Sequence, residues 1–380
     1  MKIAIEAQRI FRKRKHGMDI VVLEMLRKLQ KLDTVNEYVV LVGSDEDRCL
    51  QETPTMKIII AGPYIYPLWE QITLPRLVKR IKPDFLHCTS NTAPLHCSVP
   101  LVLTLHDVIF LDNQNKGSDS LYQKFGNIYR ALIVRRIYRT CLKIITVSHK
   151  EEQEIINTLQ IQPSQIQVVY NGVSTYFKYE PINSRILRKY IEEPGYILIF
   201  GNTATKKNTT RMIKAYSQYL KHSSIKRKLL LCDFSEEQFN ALIEKENLSN
   251  IRKQVVLSGY IKNTELPQIY SSAFVFVYTS LYESFGIPQL EAMACRTPVI
   301  TSNTSAMPEI AGEKATLVNP YNVDEIVGAL IKLEKDDQYY KEQQDYGEKR
   351  AKLFSWHNTA KEILQIYEQL EAEGFKPKRK

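Results

Sequence analysis

No apolar run in this 380-residue chain approaches the ~20 residues that a membrane-spanning helix needs. Its first residues, MKIAIEA, enter a strand-like pattern directly. They lack the apolar stretch and small-residue cleavage site of a secretory signal, so a cytoplasmic location is expected. No C-x-x-C pair is present. The six cysteines lie far apart and read as reduced thiols rather than a disulfide framework. His87-Cys88 and His96-Cys97 repeat nine residues apart. Cys88 reads as the end of a buried strand and His96 as a loop residue, so no metal site is assigned. There is no P-loop, and no G-x-G-x-x-G follows either candidate first strand, which weakens a dinucleotide reading.

What is present is an ordinary globular composition, 44% hydrophobic and 25% charged, which excludes wholesale disorder. The length suits two or three domains with large cores. The net charge is +10 and unevenly placed. Residues 1–180 hold 24 Lys/Arg against 18 Asp/Glu; residues 181–375 balance at 24 each; the last five residues add four more cations. A basic first half suits an anionic partner, such as a membrane surface. No recognised nucleic-acid motif accompanies it, so no nucleic-acid partner is expected.

Short β-branched runs alternate with helical patterns, the rhythm of βαβ units. The first half predicts strands at Lys2–Glu6, Tyr38–Val42, Lys57–Ile60, Asp84–Cys88, Leu101–Leu105, Lys143–Val147 and Gln167–Tyr170. Residues 174–194 carry two prolines and mixed polarity, and read as a linker. The rhythm restarts at Tyr196–Phe200, Lys228–Cys232, Gln254–Leu257, Phe274–Tyr278, Pro298–Thr301 and Ala315–Val318. Most runs are apolar at nearly every position, as in parallel strands covered on both faces. The expectation is an α/β chain of two Rossmann-like domains, 1–180 and 190–355, closed by an amphipathic helix at 356–375. Ligands are expected beyond the carboxyl ends of the strands.

The segment from Tyr278 to Cys295, YTSLYESFGIPQLEAMAC, carries the most chemistry. A strand ends in a loop containing Glu283 and Gly286, and Pro288 fits the first position of a helix. Amides around Phe285, Gly286 and Ile287 would point out of the helix N-terminus and suit a phosphate. Glu291 is expected in the first turn, where its acceptor-only carboxylate could take both hydroxyls of a ribose. Glu283 would meet whatever lies beyond the phosphates.

Embedded as ESFGIPQLEAMA, this Glu283-x7-Glu291 pair resembles the signature of retaining GT-B glycosyltransferases of family 4. Other segments match in order. Gly201-Asn-Thr-Ala-Thr-Lys-Lys-Asn208 is similar to the family's G-x-x-x-x-R-K-N segment, which places Lys207 at the donor diphosphate and Lys206 where an arginine often stands. Asn202 replaces an arginine that some members carry. Leu103-Thr-Leu-His-Asp-Val-Ile109 resembles the strand whose histidine, here His106, reaches a donor-sugar hydroxyl. Arg14-Lys-His-Gly-Met-Asp19 resembles the loop that usually reads G-I-G, and only Gly17 is clearly kept. Gly17 could equally permit a left-handed turn. Val256-Leu-Ser-Gly-Tyr-Ile261 resembles the strand end that meets the nucleotide base, with Gly259 allowing close approach. Trp356 begins a helix that in the family crosses back to the first domain and is read as a packing anchor.

The resemblance implies a GT-B fold with its domains facing across a cleft. It implies a GDP- or UDP-sugar donor, no required cofactor or metal, and transfer with retention to a saccharide or lipid-linked acceptor. Catalytic roles fall to His106, Glu283 and Lys207. Donor contacts fall to Gly17, Gly201, Lys206, Lys207, Gly259, Phe285, Gly286, Ile287 and Glu291. Cell-envelope polysaccharide synthesis is the expected setting. A non-catalytic GT-B scaffold subunit and a UDP-sugar epimerase of similar fold are the alternatives. Asp45-Glu-Asp47 matches the D-x-D of metal-dependent transferases superficially, and Asp45 could instead cap a following helix.

Residues 120–150 hold seven Lys/Arg and no acid, with Phe125, Ile128, Tyr129, Leu132, Ile133 and Ile137 at helical spacing. Two readings stand. One is a basic amphipathic helix resting peripherally on the inner face of an anionic membrane, with Arg12–Lys15 adding to the same face. The other is a domain helix whose apolar stripe is core.

Overall fold

The computed structural model describes residues 1–13, 15–62, 65–111 and 121–375, with the backbone alone for 121–124. Both sheets form where apolar runs are unbroken. The first holds β1 (Lys2–Glu6), β2 (Glu37–Val42), β3 (Met56–Ile60), β4 (Phe85–Cys88), β5 (Leu101–Thr104), β6 (Cys141–Thr146) and β7 (Ile166–Val168). Its order is β3-β2-β1-β4-β5-β6-β7, with every pair parallel. The second holds β8 (Tyr196–Phe200), β9 (Leu229–Cys232), β10 (Val255–Gly259), β11 (Ala273–Tyr278), β12 (Val299–Ser302) and β13 (Thr316–Val318). Its order is β10-β9-β8-β11-β12-β13, again all parallel.

The absence of polar/apolar alternation has a direct cause. Successive strand residues point to opposite faces. Ile3 and Ile5 pack into one core layer of the first sheet and Ala4 into the other, and all three are fully buried. Helices cover both faces, so no position from Ile3 to Glu6 is left for water.

In each sheet the chain lays down three strands outward, then returns beside the first and proceeds the other way. That reversal lies between β1 and β4, and between β8 and β11. Loops leaving adjacent strands at such a point diverge and leave room for a ligand at the carboxyl edge. The loops after β8 and β11 carry the Gly201–Asn208 and Thr279–Gly286 segments.

The chain divides into two compact units, Met1–Gly172 with Trp356–Lys380, and Val173–Ser355. Residues 174–194, read as a linker, fold with the second unit. A one-turn helix, Ser184–Leu187, is capped by the Asn183 side chain, and the Asn183 amide donates to the Gln268 side chain at 3.0 Å. Prolines and mixed polarity here mark irregular packed chain, not a free connector. The basic 120–150 stretch is also not one helix. It forms the helix Leu121–Ile137, strand β6, and the start of the helix His149–Leu159, whose N-cap is Ser148. Nor does Asp45 cap a helix. None follows it, and its carboxylate accepts from the Glu46 amide at 2.8 Å.

The closing helix, Trp356–Ala372, returns to the first unit. Ile363, Ile366, Tyr367 and Leu370 enter the same core layer as Ile3 and Ile5. Trp356 is buried, as a packing anchor should be. Tyr367 also meets His87 of β4, with its hydroxyl 2.6 Å from Nδ1, while the Thr104 hydroxyl lies 2.8 Å from Nε2. Burial depresses the His87 pKa to about 3, so the ring is neutral and both its nitrogens are engaged. Tyr367→Phe leaves Nδ1 buried without a partner. It should cost about 1–3 kcal/mol in urea denaturation of the full chain.

Candidate active site

The second unit's candidate site is built on two loops fastened to each other. After β8 the chain turns at Gly201, where a Cβ would lie 2.7 Å from Cβ of Phe234. Only glycine lets the strand end pack this closely. Thr209 Oγ1 then donates to the Asn202 carbonyl at 2.7 Å and accepts from its amide at 2.9 Å, closing the loop. A 3₁₀ turn, Thr205–Lys207, leads to Asn208, which is left-handed at φ 60°. Asparagine tolerates that region better than most residues. The Asn208 Nδ2 donates to the carbonyls of Thr279 and Pro320, each at 2.8 Å. The Leu281 amide donates to the Lys206 carbonyl at 2.7 Å. The turn bearing both lysines is thereby held against the loop leaving β11. Lys206 itself is exposed.

Lys207 and Glu283 come together. Nζ lies 2.6 Å from Oε1, a charge-assisted bond between partly buried groups. Glu283 is fixed through its backbone, whose amide donates to Ser305 Oγ at 3.1 Å and whose carbonyl accepts from it at 2.7 Å.

Gly286 caps the next helix, Ile287–Ala294, at φ 89° and ψ 52°. The conformation alone favours glycine, and a Cβ would also meet Gln289 Nε2 at 2.9 Å and Met307 Sδ at 3.0 Å. The amides of Gly286 and Ile287 have no partner among the described residues. They are the donors that a helix N-terminus leaves over. Phe285 is buried edge-on against Phe354, with ring centroids 5.8 Å apart.

Two positions differ from the sequence expectation. The helix starts at Ile287, so Pro288 is its second residue and Glu291 opens the second turn rather than sitting in the first. Glu291 therefore gains less from the N-terminal amides. Burial instead pushes its carboxyl up to about 7, against the hydrogen bond donated by Tyr270 at 3.2 Å. Gly17 is the second. It begins the helix Gly17–Leu32, is not left-handed, and a Cβ there would touch nothing within 4 Å. The backbone turn that glycine could have served is absent. The helix is started by His16, whose amide donates to Asp19 at 2.9 Å.

Gly259 does occupy the left-handed region, at φ 63°, and the space where a side chain would stand is open. It ends β10, with its carbonyl accepting from the Asp233 amide at 3.0 Å. In the first unit, His106 lies just past β5 and is buried. Its amide donates to Asn91 Oδ1 at 2.6 Å. Its Nε2 lies 3.1 Å from the Thr89 carbonyl, which only accepts, so Nε2 carries the proton and Nδ1 is the lone-pair nitrogen. Burial lowers its pKa, which keeps the ring neutral.

Sequence reasoning singled out Lys207 and Glu283 but not what fixes them. Asn208 and Ser305 do that work, and the buried Gln289 braces the helix start, its Nε2 donating to the Phe285 carbonyl at 3.4 Å. Gln289 accepts from Thr301 Oγ1 at 3.0 Å behind the helix start. The signal available for Gln289 was a long polar residue between Pro288 and Leu290 at a helix start.

Two family models match the chain, "Glycosyltransferase Family 4" over residues 16–177 and "Glycosyl transferases group 1" over residues 185–350. The Escherichia coli O-antigen chain mannosyltransferase B is 27% identical over 291 residues, 76% of this chain and 75% of that protein. Among solved structures, sucrose-phosphate synthase from Thermosynechococcus elongatus superposes with a TM-score of 0.75 at 21% identity, covering 98% of this chain and 99% of that one. The Anabaena protein HepE, solved with UDP and glucose, gives 0.73 at 17% identity, covering 97% and 99%. At these identities the solved structures establish the fold, GT-B.

The Glu291 carboxyl titrates higher in the fold than when unfolded. The native chain therefore holds more protons between the ordinary glutamate range and about pH 7, and loses stability as pH rises through that window. Glu291→Gln mimics the protonated form. It should match the wild-type melting temperature near pH 5 and exceed it near pH 8, by thermal unfolding without ligand.

Proposed function

The chain belongs to the family 4, group 1 glycosyltransferases of GT-B fold, and from that premise we propose that it transfers a hexosyl unit, most simply mannosyl, from a nucleotide-diphosphate sugar to a saccharide acceptor with retention of configuration. The observation that carries the donor site is the Lys207–Glu283 pair beside the open amides of Gly286 and Ile287. The mannosyl assignment and the envelope-polysaccharide setting rest on the mannosyltransferase relative. The donor nucleotide is GDP or UDP; UDP is the one bound in HepE.

In this reading Lys207 and the helix amides stabilise negative charge growing on the departing diphosphate. Lys206, exposed on the same turn, adds a second cation. Glu291, ionised when donor binds, accepts from the ribose hydroxyls, and Gly259 lets the base lie against backbone. Glu283 and the lone-pair nitrogen of His106 accept from sugar hydroxyls and orient the anomeric carbon. Departure of the diphosphate and attack of the acceptor occur on one face of the sugar, with the leaving phosphate oxygen taking the acceptor proton. No side chain is then needed as general base, and no metal or organic cofactor enters the scheme. The acceptor is a growing envelope saccharide, lipid-linked in the fullest form of the proposal. A lipid-linked acceptor would keep the enzyme at the inner face of the cytoplasmic membrane. Among the described residues no helix is long and apolar enough to cross a membrane.

Thermal-shift titration with GDP and UDP tests the donor site, using wild type and Glu291→Ala. One diphosphate should stabilise the wild type and fail to stabilise the variant. No shift with either at millimolar concentration would contradict the proposal. With the nucleotide fixed, Lys207→Ala should lower kcat/KM for its mannosyl donor by about 10²-fold or more, the scale of losing one preorganised charge-stabilising group.

A further inference from the structure

In the first unit, the helix Leu121–Ile137 buries one stripe and exposes another. Ile133, Val134 and Ile137 are core. Phe125, Ile128 and Leu132 are 71%, 57% and 50% exposed. At spacings of three and four they fall on one face. Arg135, Arg136 and Arg139 continue that face in the C-terminal direction and are exposed.

A second segment repeats the arrangement. Tyr66–Ile81 is helical throughout, with a π-turn at Trp69–Thr73. Ile65, Leu68 and Ile72 are exposed at its beginning. Arg76, Lys79, Arg80 and Lys82 are exposed at its end. The two segments are joined side by side. Gln71 Nε2 donates to Tyr129 Oη at 2.9 Å, and the Leu95 amide donates to Gln71 Oε1 at 2.9 Å. Leu95 is itself exposed. The exposed apolar residues flank these hydrogen-bonded ones on both segments.

Within the two segments the exposed charge among the described residues has one sign. Glu70 is the sole acid in residues 65–83, and it is fully buried, accepting from Tyr66 at 2.8 Å and from Gln71 at 2.9 Å. Residues 121–148 contain no acid. None of the seven exposed cations named here pairs with a carboxylate among the described residues. Two members of the Arg12–Lys15 run add no described free cation. Lys15 is paired with Asp47, and Arg14 lies outside the described residues. Lys143 and Lys150, counted with the basic segment in the sequence, bond to the Ser164 carbonyl and to Glu154 instead.

We propose that this paired-helix surface docks on an anionic phospholipid bilayer, with Phe125, Ile128, Leu132, Leu68 and Ile72 entering the headgroup boundary and the arginines and lysines at the lipid phosphates. Exposed aliphatic and aromatic side chains continued along the same segments by unpaired cations complement such a surface. A second copy of the chain would bring seven cations against seven. A nucleic acid would leave the aliphatic residues without a partner. The inference goes beyond the transferase reading and concerns two segments of the first unit that contain none of the donor residues.

Co-sedimentation of the full chain tests it, with vesicles of phosphatidylcholine alone and with about one third phosphatidylglycerol. Partitioning should be at least about tenfold greater on the anionic vesicles and should weaken as salt is raised. The variant Phe125→Gln/Ile128→Gln/Leu132→Gln, changed only at exposed helix positions, should lose about tenfold or more, as should Arg135→Gln/Arg136→Gln. Each variant's nucleotide-induced thermal shift should match wild type, which checks folding and keeps a failure here separate from one at the donor site. Equal binding to both vesicle types, or binding unchanged in the apolar variant, would overturn the proposal. So would a dimer that the apolar variant dissociates without any vesicle binding, or heparin binding that survives it without vesicle binding.

Discussion

Asn208 is the joint on which the second unit's site depends. One side-chain amide ties the turn after β8 to the carbonyl ending β11 and to the Pro320 loop. The left-handed backbone at Asn208 points Lys207 toward Glu283 rather than along the following helix. Without that fastening, a flexible lysine on an exposed turn would sample many positions and make a poor charge stabiliser. The parallel sheet supplies the setting, because β8 and β11 are neighbours at the chain reversal. The loops supply the chemistry.

The same economy holds in the first unit. Every position of β1 from Ile3 to Glu6 is buried, so polar function is displaced to strand ends and helix surfaces. His106 sits at such an end, held neutral by burial and given its tautomer by the Thr89 carbonyl. His87, one strand over, is as buried, but both its nitrogens are spent on Thr104 and Tyr367. The contrast separates a structural histidine from one with an open lone pair. Glu70 is structural in the same sense. It accepts from Tyr66 and Gln71 on its own segment and from the Tyr129 hydroxyl on the other, which holds two surface helices together while hiding the one negative charge within them.

The strands were legible in the sequence because two-sided burial leaves no polar interruptions, and each of the thirteen lies within two residues of its expected bounds. Glu283 and Glu291 were legible because their spacing is embedded in a strand–loop–helix pattern. What escaped was whatever depends on a helix starting one residue early or late. Glu291 left the first turn for that reason, and its carboxyl is raised by burial rather than favoured by the dipole. Gly17 escaped because helix capping by His16 and Asp19 removed the need for a left-handed turn. Residues 174–194 escaped because irregular backbone can pack as tightly as helix once Gln268 and Ser271 offer partners. Helical spacing in 120–150 could not say which apolar residues face inward, since two stripes of similar composition lie on opposite sides of one helix.

The proposed transfer depends on Lys207 meeting the donor diphosphate. Phosphorus-31 NMR of the stabilising nucleoside diphosphate, bound to wild type and to Lys207→Met, reads that contact. The β-phosphorus resonance should be displaced from its free position in the wild-type complex and return most of the way toward it in the variant at saturating nucleotide. An identical bound-state shift in both proteins would place Lys207 away from the diphosphate and overturn its assigned role.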